Sequence, residues 1–306
     1  MRLIKFYIIP IFFLRMMTTS IIAKEDLTSL SPHEMYSLLP SAFENKDWKG
    51  LLRTSNEILS RCPESSFVAD ALYYRGIAYF HLRDNELANK FFSRYLKNDI
   101  SPKYFEETLS YKFSIAEKFR KGTRKHLFGW NKMPKWSNAK EDALHIYEEI
   151  IAILPYHDLA ARAMFSKAQV EKDFEEYSTT IETLQQMIRR FPKHYMTPEA
   201  FLQIAKVYLK QCSPQRQDSD LLALADINIR KFIEAFPNEK RIDEARKMYQ
   251  QMQEIYARGL YEVGRFFART RKPGAAEIYY SKIIAQYPQT NAAKLSQKQL
   301  LQIKKK

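Results

Sequence analysis

The sequence predicts an all-α fold: a right-handed α-solenoid of about six helix pairs, running through residues 24–306 as one elongated unit. Three observations predict it. First, five amphipathic stretches close on an apolar pair followed by proline, at Ile58-Leu59 to Pro63, Ile150-Ile151 to Pro155, Met187-Ile188 to Pro192, Phe232-Ile233 to Pro237 and Ile283-Ile284 to Pro288. Proline cannot continue a helix and disfavours helical geometry in the residue before it, so each marks a helix end. Second, a residue sits twelve positions before each of these prolines in one register, Leu51, Ala143, Thr180, Ala225 and Ala276, so the pattern is an internal repeat. Third, 306 residues hold only 7 glycines, too few for a glycine-turned β or α/β protein, while 45% hydrophobic and 14% aromatic content supplies a continuous core between stacked helices.

The elements follow in order. Residues 1–23 have the layout of a secretory signal peptide, with a basic start, the apolar run of residues 6–14 and Ile21-Ile22-Ala23 before charged residues. An uncleaved anchor is the alternative, because Arg15 and Thr18-Thr19-Ser20 interrupt the apolar character. The first pair is degenerate, with Leu39 and Leu51 twelve apart. The second carries Gly76, Tyr79, Ala88 and Phe92 and lacks the usual ending, since Tyr95-Leu96 leads to Ile100 and Pro102. In the third and fifth pairs the matched small residues, Ala116 with Ala143 and Ala205 with Ala225, stand 27 and 20 apart instead of 12, giving insertions of 15 and 8 residues. The larger insertion occupies about 120–140. The fourth pair matches Ala168 with Thr180. The sixth, Gly264, Phe267, Ala276 and Tyr280, repeats the second pair's steps of 3, 9 and 4 and follows an extended helix expected at about 242–270. These steps resemble the tetratricopeptide arrangement, in which small residues let two antiparallel helices approach closely while aromatics fill the gap toward the next pair.

Charge is uneven. The formal net charge is +14, or +11 without Arg2, Lys5 and Arg15. Residues 120–140 hold seven basic residues and no acid, interleaved with Phe128, Trp130 and Trp136, and residues 258–306 hold eleven basic residues against Glu262 and Glu277. Such a basic aromatic insertion suits a protein or anionic membrane surface, with Arg124, Lys125, Trp130 and Trp136 as contact candidates. The same residues can instead pin the insertion to the solenoid while the charges stay solvated. Nucleic acid is not an expected partner of an exported chain. Cys62 and Cys212 fall in distant repeats and make neither a disulfide framework nor, with 6 histidines, a zinc pattern. Asp142, His145 and Glu149 share a helix face and read as surface ion pairing rather than a metal set. No nucleophile motif, zinc-protease motif or phosphate loop occurs, so an enzyme is disfavoured and no cofactor is expected.

The C-terminal part carries a family resemblance. Ala245, Ile255-Tyr256-Ala257-Arg258 leading into Tyr261 through Phe267, then Ala275-Ala276 and Gln286-Tyr287-Pro288-Gln289-Thr290, resemble the BamD (YfiO) family, the periplasmic tetratricopeptide component of the outer-membrane β-barrel assembly machinery. Pro237 and Pro288 lie 51 apart, similar to that family's extended helix before its last repeat, and Phe128-Gly129-Trp130 is broadly similar to its aromatic insertion. No cysteine follows the apolar leader until Cys62, so a lipid anchor is not expected.

The resemblance implies a non-enzymatic scaffold in the periplasm, associated with the outer membrane. Its implied partners are the β-barrel assembly channel protein and unfolded outer-membrane protein precursors. Arg265, Arg269, Arg271 and Lys272 are the implied partner-binding residues, with Thr270 at the position where the family carries an arginine. Tyr73, Tyr74, Tyr111 and Lys112 are candidates for a peptide groove on the first-helix face, with burial in the core as the other reading. A general cell-envelope adaptor coordinating cell-wall or division enzymes is the alternative function.

Overall fold

The computed structural model describes residues 27, 29–98, 101–126, 135–214 and 219–304, so the signal segment and Trp130 lie outside the described residues. Thirteen helices make up the described chain: α1 Pro32–Glu44, α2 Trp48–Arg61, α3 Val68–His81, α4 Asn85–Asn98, α5 Phe105–Arg120, α6 Lys140–Ile153, α7 Asp158–Asp173, α8 Tyr177–Arg190, α9 Thr197–Gln211, α10 Ser219–Ala235, α11 Arg241–Arg269, α12 Pro273–Gln286 and α13 Asn291–Lys304. They form six consecutive pairs, and α13 closes the end against α12 and α11. The fold is an all-α, tetratricopeptide-like solenoid. Within the larger insertion, β1 Lys125–His126 pairs antiparallel with β2 Lys135–Ser137.

The prolines end helices by one repeated geometry. Cys62, Leu154, Phe191 and Tyr287 each precede a proline, and each adopts φ between −131° and −124° with ψ between 54° and 64°. That is the non-helical region a following proline imposes. The N–H of each still donates to the carbonyl four residues back, at Ile58, Ile150, Met187 and Ile283, so the last turn closes before the chain departs.

The turns inside the pairs repeat as well. Lys46, Arg83, Glu175 and Arg271 have φ of 57° to 62°, the left-handed region that non-glycine residues enter at a cost of about 1–2 kcal/mol. Each stands five residues before Leu51, Ala88, Thr180 or Ala276 in the pairs that keep the twelve-residue separation. The third and fifth pairs, whose connections are longer, have no such residue among those described.

Leu39, Leu51, Ala88, Ala116, Ala143, Ala168, Thr180, Ala205, Ala225 and Ala276 are all buried, so the register read from the sequence is the packing register. Gly76 and Gly264 each lie under an aromatic ring of the paired helix, Phe92 and Tyr280. Cys62 and Cys212 form no disulfide, and both are half-buried and packed against separate core clusters.

Helix α11 holds three clusters together. Its first half places Ile242 and Ala245 against Phe201 and Phe232, Met252 and Tyr256 pack with Tyr208 and Ala225, and Ala257 and Leu260 join Tyr280 and Ile283. From its middle, Glu254 accepts from the N–H groups of Asn291 and Ala292 at 2.7 and 3.2 Å, capping α13 with a side chain distant in sequence.

Candidate functional site

The turn between α11 and α12 gathers the four basic residues expected there. Arg265, Arg269, Arg271 and Lys272 are all exposed, and Phe266 beside them is 54% exposed. Thr270 ends α11 by donating its hydroxyl to the carbonyls of Phe266 and Phe267 at 3.1 and 3.2 Å. The left-handed Arg271 then reverses the chain, and Lys272 N–H donates to Phe267 O at 3.0 Å. Arg265 is tethered to Glu262 at 3.2 Å, whereas Arg269, Arg271 and Lys272 have no carboxylate partner among the described residues. Phe267 stays behind, stacked on Tyr279 at 5.6 Å. A rigid turn thus presents uncompensated cations around one apolar ring.

Of the two readings of the peptide-groove candidates, the structure takes burial in the core for three of the four. Tyr73 and Tyr74 are buried, Tyr73 stacked on Tyr104 at 4.1 Å, and Lys112 has no exposed surface. Tyr111 alone reaches the first-helix face, half-buried, stacked on Phe92 at 5.3 Å and edge-on to Phe80 at 5.0 Å. The physical reason is that Lys112 points away from that face into the second-helix layer. Its ammonium donates to Asn89 Oδ1 and Ser93 Oγ, each at 2.6 Å, and pairs with Glu149 Oε2 at 2.9 Å. Burial pushes its pKa down, against the opposing pull of the Glu149 carboxylate. Glu149, expected in a surface trio with Asp142 and His145, is therefore directed inward to this lysine, and His145 lies 3.9 Å from Glu148.

A second polar node ties three helices. Glu117 on α5 receives Arg120 Nε and Nη2 at 3.1 and 2.7 Å and the Tyr147 hydroxyl of α6 at 2.7 Å. Burial alone would raise the Glu117 pKa, but hydrogen bonds from Arg120, from Ser166 of α7 and from Tyr147 outweigh it and hold the carboxyl at about 2. Burial and the same carboxylate push the Tyr147 phenol up. Arg120, counted by sequence with the basic insertion, is thus the last residue of α5 and is neutralised there.

Around this node the first helices leave two clefts. One, of about 530 Å³, lies between α5 and α7, with Phe113, Lys118, Lys121, Arg162, Phe165 and the 69% exposed Tyr195 on its walls. Arg162 sits over the Phe113 ring at 4.7 Å. The other, of about 460 Å³, lies between α3 and α5 and is lined by Phe80, Glu106, Glu107, Ser110, Tyr111 and Ser114. Apart from Tyr111, the sequence reading missed these residues, although Glu107, Ser110, Ser114, Lys118 and Lys121 recur at three- and four-residue steps along one stripe of α5. Of the insertion candidates, Arg124 is exposed, the backbones of Lys125 and Trp136 lie in β1 and β2 with side chains outside the described ones, and Trp130 is outside altogether.

Residues 70–99 match the tetratricopeptide repeat family, which covers α3 and α4. The mouse aspartyl/asparaginyl β-hydroxylase is 21% identical over 194 residues, 59% of this chain and 22% of that protein, so the chain spans about a fifth of the relative it matches. Among solved structures, MamA from Desulfovibrio magneticus RS-1 is 17% identical with a TM-score of 0.37, over 68% of this chain and 97% of that one. A tetratricopeptide repeat protein from Parabacteroides merdae is 12% identical with a TM-score of 0.40, over 90% and 99%. The apo form of RapI is 15% identical with a TM-score of 0.42, over 84% and 75%. The matched repeat and the helix-pair architecture describe a tetratricopeptide-type protein-interaction scaffold, a design that is typically non-catalytic.

Proposed function

We propose that this scaffold works at the cell envelope in the manner of the BamD family, binding the β-barrel assembly channel through the α11–α12 turn and receiving unfolded outer-membrane precursors on its first helices. The observation that carries the reading is the exposed set Arg265, Phe266, Arg269, Arg271 and Lys272 at the end of a 29-residue helix. Cations around a central aromatic suit an acidic partner surface, the ring supplying desolvated contact and the charges orientation and encounter rate. The basic insertion at 120–140 provides a second contact, with an acidic protein or an anionic membrane surface. The location is periplasmic, at the outer membrane, with no lipid-carrying cysteine near residue 23.

The test is copurification of tagged chain after site-specific photocrosslinking at position 266. Recovery of the assembly channel, reduced about tenfold by the pair Arg269→Ala and Arg271→Ala, is the expected result; two partly exposed charges contribute together about 1.4 kcal/mol. Recovery of cell-wall synthases without the channel would replace this reading with the envelope adaptor. Channel binding unchanged by the double substitution would remove the turn as the contact.

A further inference from the structure

The two first-helix clefts touch. They lie on opposite flanks of α5, and Ser114 lines both. Small hydroxyl residues, Ser110 and Ser114, occupy the crest between them, with the Ser114 hydroxyl turned back to Ser110 O at 3.0 Å. A chain passing over α5 therefore meets a low saddle rather than a large side chain.

Their charges are opposite. On the α3 flank Glu106 and Glu107 are exposed, and neither pairs with a cation among the described residues. The floor there is fixed, since Tyr111 is held against Phe92 and Phe80. On the α7 flank Arg120, Lys121 and Arg162 outnumber the one lining carboxylate, Glu117, which Arg120 and Tyr147 engage at 2.7–3.1 Å. Lys121, 69% exposed, and Arg162, 42% exposed, make long ion pairs, at 3.9 Å to Glu117 and Asp158, and so keep most of their charge for a ligand. Phe165 and the exposed Tyr195 give the same cleft apolar walls.

We propose that the two clefts form one charge-graded track for an extended peptide that carries a basic residue at one end and an aromatic residue followed by a carboxylate at the other. The basic residue sits against Glu106 and Glu107; the aromatic enters beside Phe165 and Tyr195, with its neighbouring carboxylate at Lys121 and Arg162. Glu107 and Lys121 stand at opposite ends of α5, about 21 Å apart along its axis at about 1.5 Å per residue, so at about 3.3 Å per residue the two ends lie roughly six residues apart. The proposal rests on the scaffold reading and names its ligand class: a mixed-charge segment, not a uniformly acidic one.

Fluorescence anisotropy with three labelled decapeptides on the full chain tests it. One has lysine six residues from a Phe-Asp pair, one replaces the lysine by glutamate, and one replaces the aspartate by lysine. The mixed-charge peptide is expected to bind at least tenfold more tightly than either uniform one, with affinity falling as salt rises. The pair Glu106→Lys and Glu107→Lys reverses the preference toward the acidic peptide, and Lys121→Glu with Arg162→Glu reverses it toward the basic one; circular dichroism of each variant confirms folding. Equal binding of all three peptides, binding indifferent to both charge reversals, or no binding at all overturns the track. Copurification through the α11–α12 turn separates the two ideas: partners retained by the α5 variants that have lost the peptide leave the scaffold standing and the track refuted.

Discussion

A Cβ built on Gly76 would stand 2.6 Å from Cδ1 and Cε1 of Phe92, so the α3–α4 contact is closed by a ring lying flat against bare backbone. The same arrangement recurs at Gly264 and Tyr280, sixteen residues apart in both cases, with the nearest ring carbon at 2.7 Å. Phe92 is fully buried, so its ring cannot swing into solvent to make room. Gly76→Ala is expected to cost about 1–3 kcal/mol by overpacking, despite alanine's better helix propensity. Chemical denaturation measures it, and adding Phe92→Leu should recover part of the loss. A stabilised single variant would contradict the close approach.

Lys112 and Glu149 join α5 to α6 through a charge removed from water. Truncating one partner strands the other, so Lys112→Ala is expected to destabilise by about 3 kcal/mol. A double-mutant cycle with Glu149→Gln should return a coupling above about 1 kcal/mol. Because burial lowers the lysine's pKa, the folded chain binds its proton less tightly than the unfolded chain. Its contribution therefore becomes more favourable as pH rises from the lowered pKa toward the ordinary lysine value. Stability curves of wild type and Lys112→Met should converge differently on either side of that window.

Glu117 shows the opposite sign. Its carboxyl is held at about 2, below the ordinary carboxylate value, so the stability it confers is fully present above about 4.5 and is lost as pH falls toward 2. Glu117→Gln, which weakens the bonds to Arg120 and Tyr147, should cost about 1–3 kcal/mol at neutral pH. The difference from wild type should shrink through that acid window; a difference independent of pH down to 2 would show that the carboxylate is not the stabilising species.

The left-handed turn residues offer a gain. Arg83→Gly or Glu175→Gly relieves a backbone cost of about 1–2 kcal/mol and adds about 0.5–1 kcal/mol of unfolded-state entropy, for a net stabilisation of up to about 1 kcal/mol. Thermal unfolding checks it. The same change at Arg271 should stabilise the turn while removing a charge from the partner surface, so stability and binding would move in opposite directions.

The repeat was readable because its signals are backbone signals. Each of Pro63, Pro155, Pro192 and Pro288 dictates the dihedrals of the residue before it, and a small residue at Ala116 or Ala168 dictates an interhelical distance, each independent of what else surrounds the site. The turn cations were readable because residues at a helix end with no carboxylate nearby in sequence stay in solvent, as Arg269, Arg271 and Lys272 do. The groove was not. A first helix packs on its partner, on the neighbouring pairs and on solvent, and helical period alone does not say which stripe faces which; Tyr73 and Tyr74 went to the core and the stripe of Glu107, Ser110, Ser114, Lys118 and Lys121 to the open side. Lys112 misled because a lone lysine on a helix reads as exposed unless its three partners, Asn89, Ser93 and Glu149, are brought together by the fold.

Helix α11 deserves a mechanical reading. At 1.5 Å per residue its 29 residues span about 43 Å as one unbroken rod, seated in three core clusters and fastened to α13 at Glu254. Most neighbouring pairs of a stacked-repeat molecule meet at a loop, where twist can relax. Here the fifth and sixth pairs also meet along α11 itself, which packs on Phe201 and Phe232 at one end and on Tyr280 and Ile283 toward the other, so a load placed near Arg269 bears on a helix seated in both pairs.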